Sequence, residues 1–437
     1  MSDDPRVTLA TSPMTARQIA AVAVTVGLNA LDGFDVLAIS FASPGIAAEW
    51  HIDRAALGVV LSMELFGMAI GSAVLGGVAD RIGRRPTMLG CLVVMALGMF
   101  LAPSATGLVS LSSWRVLTGL GIGGMLAATN AVAAEFSNAR RRDLSVSIMA
   151  IGYPIGAVVG GLIAAQLLAS HTWRSVFYLG GTATAAFGPL VLFLVPESVP
   201  WLTRRQPAGA LARINRTLRS LGHASITALP SIASEARPRA VAELFTPALR
   251  ATTLLVTLAY FFHITTFYFV IKWVPKIVVD MGFAPSAAAG VLVWANVGGA
   301  TGGALLGLLT QRVSVKALTI ATMLLSTALV TAFGRTPASL QALSIVCACA
   351  GFFTNAAIVG LYAILAKAFP TEVRASGTGF AIGIGRGGSV LAPILAGVLF
   401  TAGMALPTVA LAMSLGSLLA AATLFVVKLA PREVHVR

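Results

Sequence analysis

Apolar residues fill most of this chain in long runs, and short polar segments separate the runs. A helix needs about 20 such residues to cross roughly 30 Å of hydrocarbon. Twelve runs reach that length, so the pattern predicts an all-α integral membrane protein with twelve transmembrane helices. The predicted spans are residues 18–40, 56–79, 87–104, 107–134, 145–169, 175–195, 251–274, 286–309, 317–334, 338–366, 376–400 and 405–428.

Composition agrees with this pattern. The 437 residues are 57% hydrophobic and 11% charged, whereas about a quarter of the residues in a soluble domain are charged. The polar segment 1–17 leads directly into an apolar run of full spanning length, so we expect no cleaved signal peptide.

The net charge of +14 would point to nucleic acid in a soluble protein, so the positions of the 30 Lys and Arg residues matter. Most of them lie on the termini and on alternate loops. The opposite loops carry only Arg54, Arg174, Lys276 and Arg335. The positive-inside rule therefore predicts that both termini are cytoplasmic. The basic excess is also expected to attract anionic membrane lipids, and it needs no nucleic acid partner.

Two groups of six spans flank one long loop, which predicts a protein of two halves. The predicted parts are a cytoplasmic tail 1–17, a six-helix bundle 18–195, a cytoplasmic linker 196–250, a second six-helix bundle 251–428 and a cytoplasmic tail 429–437. The segment from Gly76 to Arg85 has a degraded echo from Gly307 to Lys316, which indicates duplicated halves. In the linker, Ala208 to Leu221 has helical amphipathic spacing, typical of a helix on the membrane surface; a solvated basic linker fits equally well.

Two aspartates interrupt the first span. A carboxylate at membrane depth is costly, and it is found where it faces a polar cavity, pairs with a cation or carries a proton. Asp32 and Asp35 are three residues apart and therefore share one helix face. Two such carboxyl groups are suited to proton exchange. The alternative is a permanent ion pair, for example between Asp32 and Arg115.

Other charged residues fall at a similar depth. At 1.5 Å of rise per residue, Asp32 lies about 21 Å and Glu64 about 24 Å from the predicted cytoplasmic ends of their helices. Arg115 and Arg386 fall in the same central to outer zone. We therefore predict one shared cavity, with Asp32, Asp35 and Glu64 as candidates for proton coupling.

Arg386 is the strongest candidate for holding an anion, because a buried guanidinium stays charged and grips a carboxylate with two hydrogen bonds. Arg115, Tyr153, Asn355 and Lys272 are further candidates for substrate binding. A structural pair or an orientation toward the membrane surface is the alternative for the charged residues. Hydrogen bonding between helices is the alternative for Asn355 and Tyr153.

Two side chains of the seventh span could have a function, but a structural role explains them better. His263 stands alone near mid-depth and is interpreted as a packed core histidine. Trp273 lies near the predicted outer end and is interpreted as part of the interfacial aromatic belt.

The loop after the second span reads G-G-V-A-D-R-I-G-R-R. Its predicted role is a conformational latch, carried by Gly76, Asp80, Arg81, Gly83, Arg84 and Arg85. Asp80 can accept hydrogen bonds and cap a neighbouring helix start, and the arginines can pair with carboxylates or lipid phosphates. The alternative is that the arginines only set the topology.

With twelve spans, this loop resembles the signature of the major facilitator superfamily. D-G-F-D in span 1, Arg115 in span 4, G-Y-P-I-G in span 5, P-E-S after span 6 and Arg386 make the chain resemble an aromatic acid:proton symporter of bacteria. The resemblance implies a major facilitator fold in the inner membrane, and proton-coupled import of a hydroxybenzoate, protocatechuate or gentisate by alternating access. It also implies that Asp32 and Asp35 take part in proton coupling.

Several other functions fit the same sequence motifs. P-E-S also occurs in sugar porters, so a transporter of a sugar or of another organic acid is the alternative. An aromatic-acid exporter or a chemoreceptor would use the same scaffold. We expect no enzyme, no cofactor and no metal site, because no nucleophile has a paired base and no metal-ligand cluster is present.

Overall fold

The computed structural model describes residues 4–230, 241–370 and 373–427, and every regular element within these ranges is helical. The helices are α1 (Pro5–Thr11), α2 (Ala16–Trp50), α3 (Arg54–Ile82), α4 (Arg84–Leu101), α5 (Leu108–Glu135), α6 (Arg142–Leu167), α7 (Arg174–Leu194), α8 (Val199–Arg205), α9 (Ala210–Ser220), α10 (Arg250–Asp280), α11 (Pro285–Leu309), α12 (Val315–Phe333), α13 (Leu340–Ala368), α14 (Arg374–Gly385), α15 (Gly387–Thr401) and α16 (Leu406–Val426). The predicted tail 429–437 lies outside the described residues.

In the described part of the chain, twelve helices are long and apolar enough to cross a membrane. The short helices α14 and α15 form one of them, which runs over Ser376–Thr401. The predicted all-α fold with twelve spans is confirmed.

The first span is much longer than predicted. Hydropathy suggested residues 18–40, but α2 continues through Pro44 to Trp50, over 35 residues. At 1.5 Å per residue this is about 52 Å, more than the 40–45 Å or so of a bilayer with its head groups. Proline is tolerated inside membrane helices because neighbouring groups pair with the backbone groups whose hydrogen bonds it removes. The helix therefore continues through Pro44, beyond the end of the apolar run.

The chain forms two compact units. Unit 1 contains the described residues of 1–42 and 63–235, and unit 2 contains those of 43–62 and 236–437. The hairpin 43–62, from the end of α2 and the start of α3, thus belongs to unit 2. The two six-helix bundles 18–195 and 251–428 remain a proposal, which differs from these units at that hairpin.

Glycine residues allow α3 and α5 to pack closely in unit 1. A Cβ atom on Gly119 or Gly123 of α5 would overlap backbone carbonyls of α3, and one on Gly67 or Gly71 of α3 would overlap carbonyls of α5. The two backbones are therefore in direct contact, as small-residue seams allow in membranes.

Unit 2 has a similar seam between α11 and α13. Gly298 and Gly302 of α11 face carbonyls of α13, and Gly351 of α13 faces a carbonyl of α11. Asn355 donates a hydrogen bond from its amide to the Gly299 carbonyl, at 2.6 Å. This bond fixes the two helices in register at one level of the seam.

Candidate functional site

Four charged side chains come together inside unit 1. Asp32 and Asp35 of α2, Glu64 of α3 and Arg115 of α5 are all fully buried. The cluster holds three carboxyl groups and one guanidinium group. Because charge is costly in a low-dielectric interior, this excess of buried acids over bases makes the cluster a candidate functional site.

Arg115 is held by contacts from several helices. It forms an ion pair with Glu64, and it donates a hydrogen bond to the Asp35 backbone carbonyl at 3.0 Å. It also contacts the Met99 sulfur at 3.0 Å, and its guanidinium carbon lies 5.3 Å from the centre of the Phe177 ring. Arg115 therefore acts as the counterion of Glu64, and the alternative pair between Arg115 and Asp32 is not formed.

Asp32 differs from the other two carboxyl groups of the cluster in its hydrogen bonds and ion pairs. Neither of its oxygens has a hydrogen-bond partner among the described residues, and Asp35 and Glu64 are close enough for their charges to act on it. Asp35 differs, because one of its oxygens accepts a hydrogen bond from the Thr184 hydroxyl at 3.4 Å. A buried carboxyl without a partner is far cheaper to keep protonated than ionised.

Helix α6 approaches the two aspartates closely. A Cβ atom on Gly33 would overlap the backbone carbonyl of Tyr153, and one on Gly156 would overlap the carbonyl of Ala30. Gly33 lies between the two aspartates in sequence, so the seam between α2 and α6 runs past the cluster. Tyr153 is half-buried at this level, and its role in substrate binding stays a prediction.

In unit 2, two neighbouring residues of α10 are buried, Lys272 and Trp273. Lys272 is fully buried. Trp273 is also fully buried, and it donates a hydrogen bond to the Pro393 carbonyl at 3.2 Å and packs on Phe400. The assignment of Trp273 to the interfacial belt is wrong, because α10 turns this ring toward α15 rather than toward lipid.

His263 is a satisfied core residue, as predicted. Its Nδ1 lies 3.0 Å from the Ser417 hydroxyl, and its Nε2 lies 2.8 Å from the Thr354 carbonyl. Both ring nitrogens are thereby used in packing α10 against α13 and α16.

Arg386 is half-buried at the junction between α14 and α15. Its charge acts on Tyr260 of α10, whose hydroxyl lies 3.3 Å from that of Tyr362. This part of unit 2 thus combines a guanidinium group, aromatic rings and phenolic hydroxyls. Asn355 is occupied by its hydrogen bond to Gly299, so helix pairing accounts for it, and its role in binding a substrate stays a prediction.

The predicted latch loop is organised around Arg84. This side chain donates to Asp80 at 2.8 Å and pairs with Glu135 at 3.0 Å. Asp80 also pairs with Arg204 of α8, at 3.2 Å. Arg81 is exposed. All these contacts lie within unit 1, and a latching function stays a proposal.

The two glycines of the latch loop differ in how strictly the structure requires glycine at their positions. Gly83 has a φ of 111°, a conformation that favours glycine, and a Cβ atom there would overlap the Glu197 carboxylate. The equivalent of Gly83 in the second copy is Ser314, with a φ of −54°. Gly76 has ordinary space for a Cβ atom, whose nearest neighbour would be 3.8 Å away, so packing does not explain this glycine.

Glu197 caps the start of α4. Its Oε1 accepts backbone N–H bonds from Arg84 and Ser198 at 2.9 Å each, and a longer one from Arg85 at 3.5 Å. The sequence suggested Asp80 for such a capping role, but Asp80 is engaged by side chains instead. Burial raises the pKa of Glu197, although its N–H bonds offset part of that effect.

Sequence reasoning missed several contacts of these sites. Glu135 and Glu197 hold the latch loop, and Thr184 and Phe177 complete the buried cluster. The P-E-S string contains Glu197 and was the available signal for it. The other three carry no local signal, because their partners are far away in sequence.

The sequence profile described as the Major Facilitator Superfamily matches residues 25–298. The chain therefore belongs to the Major Facilitator Superfamily, a class of membrane transporters, and the family predicted from its motifs is confirmed. The protein is a multi-pass membrane transporter rather than an enzyme.

Two curated relatives are named for the aromatic acids that they transport. A gallate transporter of Pseudomonas putida is 30% identical over 381 residues, which cover 86% of this chain and 84% of the relative. A 3-(3-hydroxy-phenyl)propionate transporter of Escherichia coli (strain K12) is 29% identical over 411 residues, which cover 92% of this chain and 93% of the relative.

A solved structure shares the fold. The inward open conformation of the xylose transporter XylE from E. coli superimposes with a TM-score of 0.73 and covers 96% of this chain and 97% of that chain. The identity is 17%, so this likeness concerns the fold alone.

Proposed function

We propose that the protein is a proton-coupled symporter that imports a hydroxylated aromatic carboxylate by alternating access. The substrate belongs to the class of hydroxybenzoate, protocatechuate and gentisate. The names of the curated relatives support the substrate class. The observation that carries the proton coupling is the buried state of Asp32, whose carboxyl oxygens lack hydrogen-bond partners within the described residues.

Asp32 is the proposed proton carrier. Glu64 is engaged by Arg115, and Asp35 is engaged by Thr184, whereas the charged groups that act on Asp32 are the two acids Asp35 and Glu64. Protonation of Asp32 removes a charge that no cation offsets, and deprotonation restores it when water reaches the site. Asp35 and Glu64 set the electrostatic environment of this exchange.

Arg386 is the proposed clamp for the substrate carboxylate. A guanidinium group can donate two parallel hydrogen bonds to a carboxylate, and the nearby Tyr260 and Tyr362 supply ring faces and hydroxyl groups for a phenolic ring. Lys272, Tyr153, Asn355 and Arg115 remain secondary candidates. Because the proton carrier belongs to unit 1 and the clamp to unit 2, a cycle that needs both is expected to couple the two events.

The proposed location is the bacterial inner membrane, with both termini cytoplasmic. The distribution of Lys and Arg supports this orientation. Lipids and protons are the other proposed partners.

Transport in proteoliposomes tests the proton carrier. We expect an imposed inward proton gradient to drive concentrative uptake of labelled protocatechuate by the native protein. Asp32→Asn should abolish this accumulation but keep counterflow exchange, because the amide imitates a permanently protonated carboxyl. Asp143→Asn is the matched control, because Asp143 is exposed at the start of α6. Full accumulation by Asp32→Asn would remove Asp32 from the coupling mechanism.

Substrate binding tests the clamp separately. Arg386→Lys keeps the charge but cannot donate two parallel hydrogen bonds to a carboxylate, so we expect affinity for protocatechuate to fall by about tenfold or more. Arg335→Lys, in an exposed loop, should bind like the native protein. Unchanged affinity in Arg386→Lys would contradict this role. Ligand binding without any counterflow would instead identify a receptor.

A further inference from the structure

Unit 1 contains a basic cavity that is separate from the buried acid cluster. The cavity has a volume of about 350 Å³ and lies where the starts of α2 and α4, the end of α7 and helix α9 meet. Its lining includes four arginines and one acidic residue, which are Arg17, Arg85, Arg213, Arg216 and Glu197. The lining therefore has a clear excess of positive charge.

Backbone contacts hold two of these arginines without neutralising them. Arg17 donates to the Ser220 carbonyl at 3.0 Å, and Arg85 donates to the Leu192 carbonyl. Arg85 Nε is buried and has no hydrogen-bond partner in the described ranges. A donor of this kind is costly unless an acceptor reaches it.

Helix α9 supplies the other two arginines. Ile214 and Leu218 are buried in unit 1, so the apolar face of this amphipathic helix packs on the protein rather than lying on the membrane surface. Arg213 and Arg216 are on the part of α9 that lines the cavity. Arg213 is close enough to Glu197 for its charge to act on that carboxyl group, which leaves the remaining arginines in excess.

One side of the cavity is apolar and is placed for contact with lipid. Leu192, Phe193 and Leu194, the last residues of membrane-length helix α7, line it and are 45%, 80% and 40% exposed. Exposed apolar side chains on a helix of membrane-spanning length are expected to face lipid. A ligand in the cavity can therefore place a charged group among the arginines and an apolar chain along α7.

We propose that this cavity is a binding site for a phosphate group, supplied by the head group of an anionic phospholipid. Guanidinium groups bind phosphate oxygens through paired, charge-assisted hydrogen bonds, and basic pockets beside membrane helices bind anionic head groups. Inorganic phosphate shares this chemistry but has no use for the apolar side. The proposal does not depend on the transported substrate.

Thermal unfolding in lipid nanodiscs tests this site. The full-length protein is compared in phosphatidylcholine discs and in discs that also contain phosphatidylglycerol. We expect phosphatidylglycerol to raise the unfolding midpoint of the native protein, and Arg213→Gln/Arg216→Gln to lose most of this rise. Arg219→Gln is the matched control, because Arg219 is exposed on the same helix but does not line the cavity.

Two additional measurements separate lost lipid binding from a folding defect, and phospholipid from soluble phosphate. Arg216→Gln alone changes an exposed side chain, so it is expected to fold normally and to bind phosphatidylglycerol several-fold more weakly in native mass spectrometry. In the second measurement, inorganic phosphate is added to the same variants in detergent. If phosphate stabilises the protein through Arg213 and Arg216 while phosphatidylglycerol has no effect, the ligand is soluble phosphate and the lipid source is wrong. Equal responses of the cavity variants and Arg219→Gln to both ligands would overturn the site itself.

Discussion

The ion pair between Glu64 and Arg115 should be a measurable determinant of stability. Both side chains are fully buried, and Arg115 also binds the Asp35 carbonyl. Arg115→Met keeps most of the side-chain volume but leaves the Glu64 carboxylate without its cation. Breaking a buried pair in this way costs about 3–5 kcal/mol, and we expect a loss of that size in the free energy of unfolding.

The double variant isolates the pair from the other effects of the substitution. Glu64→Gln/Arg115→Met removes both charges, and replacing a buried pair by neutral groups is often close to neutral. The double variant should therefore recover most of the stability, and the coupling energy in the double-mutant cycle should reach about 2 kcal/mol or more.

Unfolding of the purified protein by sodium dodecyl sulfate, followed by tryptophan fluorescence, measures these differences. Arg140→Met is the control, because Arg140 is exposed in the loop before α6, and it should change the free energy of unfolding by no more than about 0.5 kcal/mol. A loss below about 1 kcal/mol in Arg115→Met, or simple additivity in the cycle, would refute the assignment of Arg115 as the counterion of Glu64.

Three further predictions concern packing, capping and a surface pair. Gly33→Ala places a methyl group against a backbone carbonyl of α6, so it should cost about 1–3 kcal/mol of unfolding free energy, whereas Gly90→Ala has open space and should not destabilise. Because burial raises the pKa of Glu197 above its ordinary value of 4.5, the folded state holds that proton longer than the unfolded state. Stability should therefore fall as pH rises above 4.5, and Glu197→Gln should remove this part of the slope; identical pH profiles would contradict the prediction. Asp280 pairs in unit 2 with Arg54 at 2.8 Å and also with Lys276, and its side chain is partly exposed, so Asp280→Asn should cost less than about 1 kcal/mol in the same unfolding assay. A loss above about 2 kcal/mol would show that these two pairs are not screened surface contacts.

The fold was largely predictable because hydrocarbon imposes its thickness on the sequence. Twelve apolar runs became twelve membrane-length helices. The exception is α2, where Pro44 and less apolar residues ended the predicted span although the helix continues. Hydropathy records where a chain is apolar, and a helix can extend beyond that region.

The candidate site was predictable in depth but not in pairing. Rise per residue placed Asp32, Glu64 and Arg115 at similar levels, and the structure brings them together. The rise per residue does not give the rotation of each helix about its axis. That rotation decides that Arg115 pairs with Glu64 and not with Asp32. The same missing rotation explains why depth alone predicts Trp273 at the interface although its ring is buried.

Proton movement during transport is the most direct test of the central claim. Protocatechuate is added outside proteoliposomes that start at equal pH on both sides, and a pH-sensitive dye outside reports proton flux. We predict that the external medium becomes alkaline in step with substrate uptake by the native protein. Asp32→Asn, in vesicles that are also loaded with protocatechuate, should exchange substrate with no pH change. Substrate accumulation without any proton uptake by the native protein would contradict proton-coupled symport.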